Sequence, residues 1–282
     1  MNLIVKKDGT LLDYLYNNLD IPKKKIKQYL THGSIYVNNN KVTQFDYKLV
    51  CGMKIVIDTE KKKKSILPFE ILFEDEHLIT VNKPSGLLTI ATSKEKERTL
   101  YHIVREYLVS KNRNSKVFIV HRLDKDTSGI VVFAKDERTK KILQENWNEY
   151  VSIREYVAVV HGKLKKSSGR IVQRLSETKT NLVYVSKKED AKEAITSYKV
   201  IKENEKYSLV SINIDTGRKN QIRVAFSSLG NPIVGDKKYG SNVDSLKRMA
   251  LHAYKLEFND PRNNKRTNIE IDLPYAFSKL VK

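Results

Sequence analysis

The stretch His121-Arg122-Leu123-Asp124-Lys125-Asp126-Thr127-Ser128-Gly129 lies between two apolar runs, residues 117–120 and 130–134. Each run is short, rich in β-branched or aromatic residues and bounded by polar ones, the pattern of a buried strand. The polar nonapeptide is therefore a tight excursion between two core strands, closing on a glycine free to adopt backbone angles that other residues avoid. A carboxylate in such a place is held on a rigid frame, as catalysis needs. Asp124, Asp126, Thr127 and Ser128 are equally the residue types that make a plain turn. Composition alone favours the plain turn.

The whole chain narrows the function classes. Its 282 residues suffice for one large core with a small satellite. No run approaches the roughly 20 apolar residues of a membrane helix, and the first 13 residues lack the apolar centre of a signal peptide. The single cysteine, Cys51, excludes an internal disulfide framework and paired-cysteine zinc sites and fits a reducing cytoplasm. The six histidines show no HExxH pattern, so no metal is expected. A formal charge of +20 implies attraction to a polyanion, with nucleic acid ahead of an anionic membrane because no strongly amphipathic helix is evident.

Residues 1–60 read as a small module. Thr10 can cap a helix with Leu11, Leu12, Leu15 and Leu19 on one stripe, and Pro22 opens a second helix over 23–31, stopped by Gly33. Ile26, Tyr29 and Leu30 are its apolar positions, while Lys23, Lys24, Lys25 and Lys27 populate its other surface. Short strands follow at 35–37 and 54–57, separated by the Asn38-Asn39-Asn40 turn. Four lysines at 61–64 repel one another and cannot enter a core, which makes 61–65 a linker.

Residues 66–282 form the second domain. Strands are expected at 69–73 and 78–81, then a loop, Asn82-Lys83-Pro84-Ser85-Gly86-Leu87, shaped by its proline and glycine. Helical spacing covers 99–110, and Asp136 can cap a helix over 137–147. Strands follow at 154–162, 195–201 and 209–214. The last delivers Asp215-Thr216-Gly217-Arg218 and a helix near 220–229 that Gly230 ends.

His-Arg-Leu-Asp followed by Thr-Ser-Gly resembles the signature of the RNA pseudouridine synthases of the large-subunit ribosomal type. Lys83-Pro84-Ser85-Gly86 resembles that family's first motif. Arg154, Tyr156, then Ala158-Val159-Val160-His161-Gly162 is similar to another. Thr216–Arg218, Gln221–Arg223, Gly230–Asp236 and Tyr239–Gly240 resemble a third. The resemblance spans essentially the whole chain. Lys219-Asn220 stands where Thr-His is commoner, and Ala225 where histidine is frequent, which bears on substrate contacts. The segment before residue 60, with Gly33-Ser34-Ile35-Tyr36-Val37-Asn38, resembles the S4 RNA-binding domain.

The resemblance implies an α+β fold with a central mixed, mostly antiparallel sheet flanked by helices, plus the S4-like α/β module. It makes Asp124 the catalytic carboxylate, Tyr156 the ring that packs on the target base, and Arg223 the counter-ion of Asp124. Arg122, Lys83, Thr127, Arg218 and Gln221 become candidates for RNA contacts at the site, and Lys23, Lys24, Lys27 and Lys41 for contacts in the module. Uridine isomerisation changes no oxidation state and needs no redox cofactor. A monomer acting on RNA, with large-subunit ribosomal RNA as the substrate, is expected, with no cofactor, metal or membrane. A non-catalytic RNA-binding protein of ribosome assembly, or a synthase acting on transfer RNA, is the alternative. A metal nuclease built on Asp124 and Asp126 lacks a further acidic cluster.

Overall fold

The computed structural model describes residues 1–31, 33–57, 67–93, 95–242 and 245–282. The lysine run at 61–64, and with it the linker expected over 61–65, lies outside them. The chain divides into two compact units, Met1–Ile66 and Leu67–Lys282.

In the first unit, β1 (Asn2–Ile4) and β2 (Gly9–Thr10) precede α1 (Leu11–Asn18) and α2 (Lys23–Thr31). Then come β3 (Ile35–Val37), β4 (Asn40–Val42), β5 (Lys48–Leu49) and β6 (Lys54–Ile57). Thr10 caps α1, its hydroxyl oxygen accepting from the Asp13 amide at 3.4 Å. Leu11 and Leu15 of α1 and Ile26 and Leu30 of α2 are buried with Ile35, Val37, Ile55 and Ile57 of an antiparallel sheet ordered β1-β6-β3-β4. The β3–β4 hairpin turns on Asn38 and Asn39, with φ of 46° and 66°, angles asparagine tolerates better than most side chains. The sequence raises no expectation of β1, β2, β4 or β5, which are two or three residues long and carry no alternating apolar run.

The second unit begins with β7 (Glu70–Glu74), β8 (Leu78–Lys83), α3 (Leu100–Lys111), β9 (Phe118–Ile119), β10 (Ser128–Ala134), α4 (Glu137–Glu145) and α5 (Trp147–Tyr150). It continues through β11 (Val151–His161), β12 (Ser168–Glu177), β13 (Val183–Val185), β14 (Lys192–Glu203) and β15 (Tyr207–Ile214). It ends with α6 (Gln221–Ser228), β16 (Leu251–Asn259), β17 (Arg266–Glu270) and α7 (Tyr275–Leu280). Among the described residues these strands form one 11-stranded sheet, ordered β13-β12-β14-β15-β11-β16-β10-β8-β7, with β17 beside β16 and β9 beside β10. Its pairings are antiparallel except β10 with β16, which is parallel. This is the mixed, mostly antiparallel α+β architecture expected.

All seven residues of β10 are buried. Ile130, Val132 and Ala134 point to one face, with Leu143 of α4; Val131 and Phe133 point to the other, with Leu100, Val104 and Leu108 of α3. Full burial of each large side chain is worth about 1.5–3 kcal/mol, which makes β10 a rigid base for the loop before it. Gly129 sits at the entry to β10 with φ +114°, and a Cβ there would lie 2.0 Å from the Ala253 carbonyl oxygen of β16. Only glycine permits that approach.

One expectation of the sequence is corrected, and two strands lie where it raised none. The helix capped by Asp136 stops at Glu145, and a separate turn, α5, carries Trp147. Strands β12 and β13 were not anticipated, because β12 is exposed or half-buried at all positions but one and so lacks an apolar alternation.

Candidate active site

The loop before β10 is stitched down at nearly every residue. His121 accepts the Val132 amide proton on Nε2 at 2.9 Å, and its ring lies 4.8 Å from that of Trp147. Burial, with Arg154 nearby, pushes this imidazole down to about 3, so it is neutral and can accept. The Thr89 hydroxyl donates to the Leu123 carbonyl at 2.8 Å, and the Ser85 hydroxyl to the Asp126 carbonyl at 2.7 Å. The Thr127 amide donates to the Asp124 carbonyl at 3.2 Å.

Lys83, expected to contact RNA, does not reach the surface. It is fully buried, and its ammonium donates to the carbonyls of Pro84, Leu87 and Lys125 at 3.1, 2.7 and 2.9 Å. Burial pushes it down to about 8, against the charges of Asp126 and Asp124. It is a pin joining the 83–87 loop to the Asp124 loop. Gln221 is corrected on the same ground. It is buried, its Oε1 accepts from the Thr216 hydroxyl and the Arg218 amide, and its Nε2 donates to the Ile195 carbonyl and the Thr196 hydroxyl. All its polar capacity is spent inside the fold.

Helix α6 brings Arg223 to Asp124 across 99 residues of chain, Nη1 donating to Oδ2 at 3.2 Å. Nη1 also donates to Asn220 Oδ1 at 3.2 Å, while Nε and Nη2 form a fork with Asp236 at 2.7 and 2.8 Å. The Tyr239 ring lies 4.9 Å from the guanidinium carbon, and the Tyr239 hydroxyl accepts from Asn220 Nδ2 at 2.9 Å. Burial would depress the Arg223 guanidinium, but the hydrogen bonds and charge of Asp236, then Asp124, hold it above its ordinary value. Asn220 caps α6 in the left-handed conformation, φ 53°. Its departure from the familiar pattern is thus accommodated by backbone and hydrogen bonds alike. Ala225 is buried in α6, so that departure alters packing rather than a surface contact.

These groups border a cavity of about 370 Å³ whose lining includes Arg122, Asp124, Thr127, Tyr156, Arg218 and Arg223. Ile214 and Leu251 supply an apolar part of the wall. Tyr156 stands at a register shift between β11 and β16, where a bulge turns a side chain out of the regular alternation. Burial pushes its phenol up to about 12, Arg154 opposing and Asp124 adding, so it stays protonated at neutral pH. Arg122 and Arg218 are exposed, Arg218 donating through Nε to the Glu193 carbonyl at 2.9 Å; Thr127 is buried in the wall. Two grooves continue the cavity. One of about 760 Å³ shares Arg223 and bears Lys237, Lys238, Lys247 and Arg248; one of about 470 Å³ shares Arg218 and Lys219 and bears Lys188 and Lys192.

Lys23, Lys24, Lys27 and Lys41 are all exposed in the first unit. Sequence reasoning gave no role to Asp236, Asn220 or Tyr239. The signal available was the short spacing from Gly235-Asp236 to Tyr239-Gly240, which marks a fixed loop without saying what it faces. Among the described residues no three His, Cys, Asp or Glu side chains converge as a metal would need, and no helix is long and apolar enough to cross a membrane.

The family model described as RNA pseudouridylate synthase matches residues 77–228. An uncharacterized RNA pseudouridine synthase of Bacillus subtilis, YhcT, is 32% identical over 98% of this chain and 93% of its own length. A ribosomal large subunit pseudouridine synthase C of Buchnera aphidicola is 32% identical over 93% of this chain and 89% of its own. Among solved structures, human RNA pseudouridylate synthase domain containing 4 superposes with a TM-score of 0.61 at 24% identity, covering 74% of this chain and 90% of that one.

Proposed function

This chain belongs to the RNA pseudouridylate synthase family, and from that premise we propose that it isomerises uridines of large-subunit ribosomal RNA with Asp124 as the group that acts on the ribose. The observation that carries the reading is the Arg223–Asp124 contact at the edge of a cavity that also holds the Tyr156 ring. The reaction breaks the bond from ribose C1′ to N1 and remakes it to C5. The proton lost from C5 is balanced by one gained at N1, so no redox partner enters. Asp124 serves either as nucleophile at C1′ or as base toward the sugar, and both need its ionised form. Arg223 orients the carboxylate and places a counter-charge 3.2 Å from it.

The target nucleotide has to leave the RNA stack to reach Asp124. Tyr156 offers its face to the extracted uracil, and exposed Arg122 can stack where the base has left. The lysines of the two flanking grooves are placed for phosphates on either side of the flipped residue. The first unit is read as an S4-like RNA module. Its α2 opens with three lysines at the helix N-terminus, where the macrodipole disfavours cations, so their cost there is offset by a partner that supplies negative charge. The large-subunit target rests on the name of the Buchnera relative.

The test is pseudouridine mapping on large-subunit RNA transcripts incubated with wild-type protein and with Asp124→Asn, without added cofactor. Sites formed by wild type alone are expected. Turnover by Asp124→Asn overturns the assignment of the carboxylate; the same mapping run on transfer RNA transcripts tests the target, which modification confined to transfer RNA overturns.

A further inference from the structure

Arg248 is a cation that the fold seats without neutralising. It is half-buried, Nη2 donating to the buried Ser128 hydroxyl at 2.6 Å and Nε to the Met249 carbonyl at 3.2 Å. The Phe277 ring lies 5.2 Å from the guanidinium carbon. Ser128 closes the Asp124 loop and opens β10, and its hydroxyl oxygen stands 2.7 Å from His252 Nδ1. Arg248 can only donate, so the hydroxyl accepts from it and gives its own hydrogen to the imidazole. Burial, with the charge of Arg248 adding, pushes His252 down to about 4, so the ring is neutral and able to accept. The guanidinium is thereby fixed in place by neutral groups.

What the seat lacks is a counter-charge. Among the described residues no carboxylate forms an ion pair with Arg248. Burial pushes its guanidinium down, opposed by the charge of Asp126, an exposed residue of the same groove. Burial and then the charge of Arg248 push the Lys83 ammonium down as well, against Asp126 and Asp124. A half-buried cation among neutral partners carries a desolvation cost that a bound anion would offset. The groove of about 760 Å³ that Arg248 lines also carries Arg223, which borders the Asp124 cavity, so an anion held there lies next to that cavity.

We propose that Arg248 is a phosphate-binding residue, taking one backbone phosphodiester of the RNA strand directly beside the uridine that enters the Asp124 cavity. The inference rests on reading that cavity as the seat of the uridine. Arg248 differs in kind from the lysines of the groove. Lys247 is an exposed charge and Lys238 gives its ammonium to the Asn181 carbonyl at 2.7 Å, whereas Arg248 is held still and keeps Nη1 without a partner among the described residues. A phosphate fixed at one point sets the register of the strand, and with it which nucleotide faces Asp124.

Random ethylation of an end-labelled large-subunit RNA transcript neutralises single phosphates, and the positions that block binding are read by comparing bound and free RNA. Wild type is expected to show a strong position that disappears for Arg248→Met and persists for Arg248→Lys, which keeps a cation. Arg248→Met should also weaken binding roughly tenfold and flatten its salt dependence by about 0.7–0.9 log units, the share of one phosphate. Because no fixed counter-charge is stranded, its urea midpoint is expected to equal or exceed that of wild type. An ethylation pattern and salt slope unchanged in Arg248→Met overturn the proposal. So does a midpoint lowered by more than about 1 M, or a variant that cannot fold, since the cation would then be structural. Pseudouridine mapping of the same transcript separates the two readings. No pseudouridine, despite an Arg248-dependent phosphate, sinks the reading of the cavity. Pseudouridine with an ethylation pattern indifferent to Arg248, or with the Arg248-dependent phosphate remote from the modified uridine, sinks this inference alone.

Discussion

Gly129→Ala is the substitution that most directly tests whether the Asp124 loop is held by the sheet. The new Cβ would stand 2.0 Å from the Ala253 carbonyl oxygen and 2.7 Å from the Ala253 carbonyl carbon and amide nitrogen. These are backbone atoms of the parallel partner strand, so no rotamer relieves the contact, and the β10–β16 register must open by more than about 1 Å. The backbone angle adds strain of its own, since φ +114° costs a side-chain-bearing residue about 1–3 kcal/mol. Overpacking adds about 1–3 kcal/mol more. Against a stability of about 5–15 kcal/mol, the variant folds but its urea midpoint falls by roughly 1–3 M. Trp147 is the single tryptophan and lies against His121, so its fluorescence reports this unit and this loop. Because a displacement of about 1 Å at a reacting group costs about 100-fold in rate, pseudouridine formation should fall by at least tenfold in the folded variant. A midpoint within about 0.3 M of wild type together with full activity would refute the reasoning, since the approach to Ala253 would then not constrain the loop.

Three further outcomes follow from the same geometry. Lys83 titrates at about 8 in the fold and 10.5 free, so between those values the unfolded chain binds more protons and stability rises with pH. The unfolding free energy of wild type relative to Lys83→Met should climb by up to about 3 kcal/mol across that window, and a flat difference in urea melts would contradict it. Tyr156→Phe should retain activity within a few-fold, because a phenol pushed up to about 12 performs no proton transfer near neutrality. Tyr156→Ala should lose roughly 10- to 100-fold, the worth of one base stacked on an aromatic ring, and equal rates in the two variants would remove the stacking role. Charge reversal at Lys23 and Lys27 should weaken RNA binding and flatten its salt dependence by about 0.7–0.9 log units per lost phosphate contact, while kcat at saturating RNA stays put. An unchanged salt slope in filter binding would take α2 off the RNA.

Local chemistry was legible in the sequence wherever the cause is local. Thr10 and Asp136 read as caps because a short oxygen-bearing side chain before a helix has an amide to satisfy, and both do so here. The apolar runs flanking the Asp124 loop read as strands because alternate residues of β10 meet opposite faces of the sheet. The sequence by itself thus determined a carboxylate presented just before the buried strand β10, on a basic chain whose motifs resemble an RNA isomerase; the run before the loop, read as a second buried strand, forms only the two-residue, half-buried β9. What it could not carry is register across the sheet and the direction of each side chain after folding. Lys83 reads as a surface cation beside a turn, and only the crossing of the 83–87 loop with the Asp124 loop gives its ammonium three carbonyls and no solvent. Arg223 reads as a helix cation. Its place between Asp124 and Asp236 is decided by where α6 lands on the sheet, with Ile222 and Phe226 in the core beside β11 and β15, a matter of packing among segments far apart in the chain. The parallel pairing that makes Gly129 obligatory is likewise tertiary, because a strand's own residues encode its faces but not its neighbour.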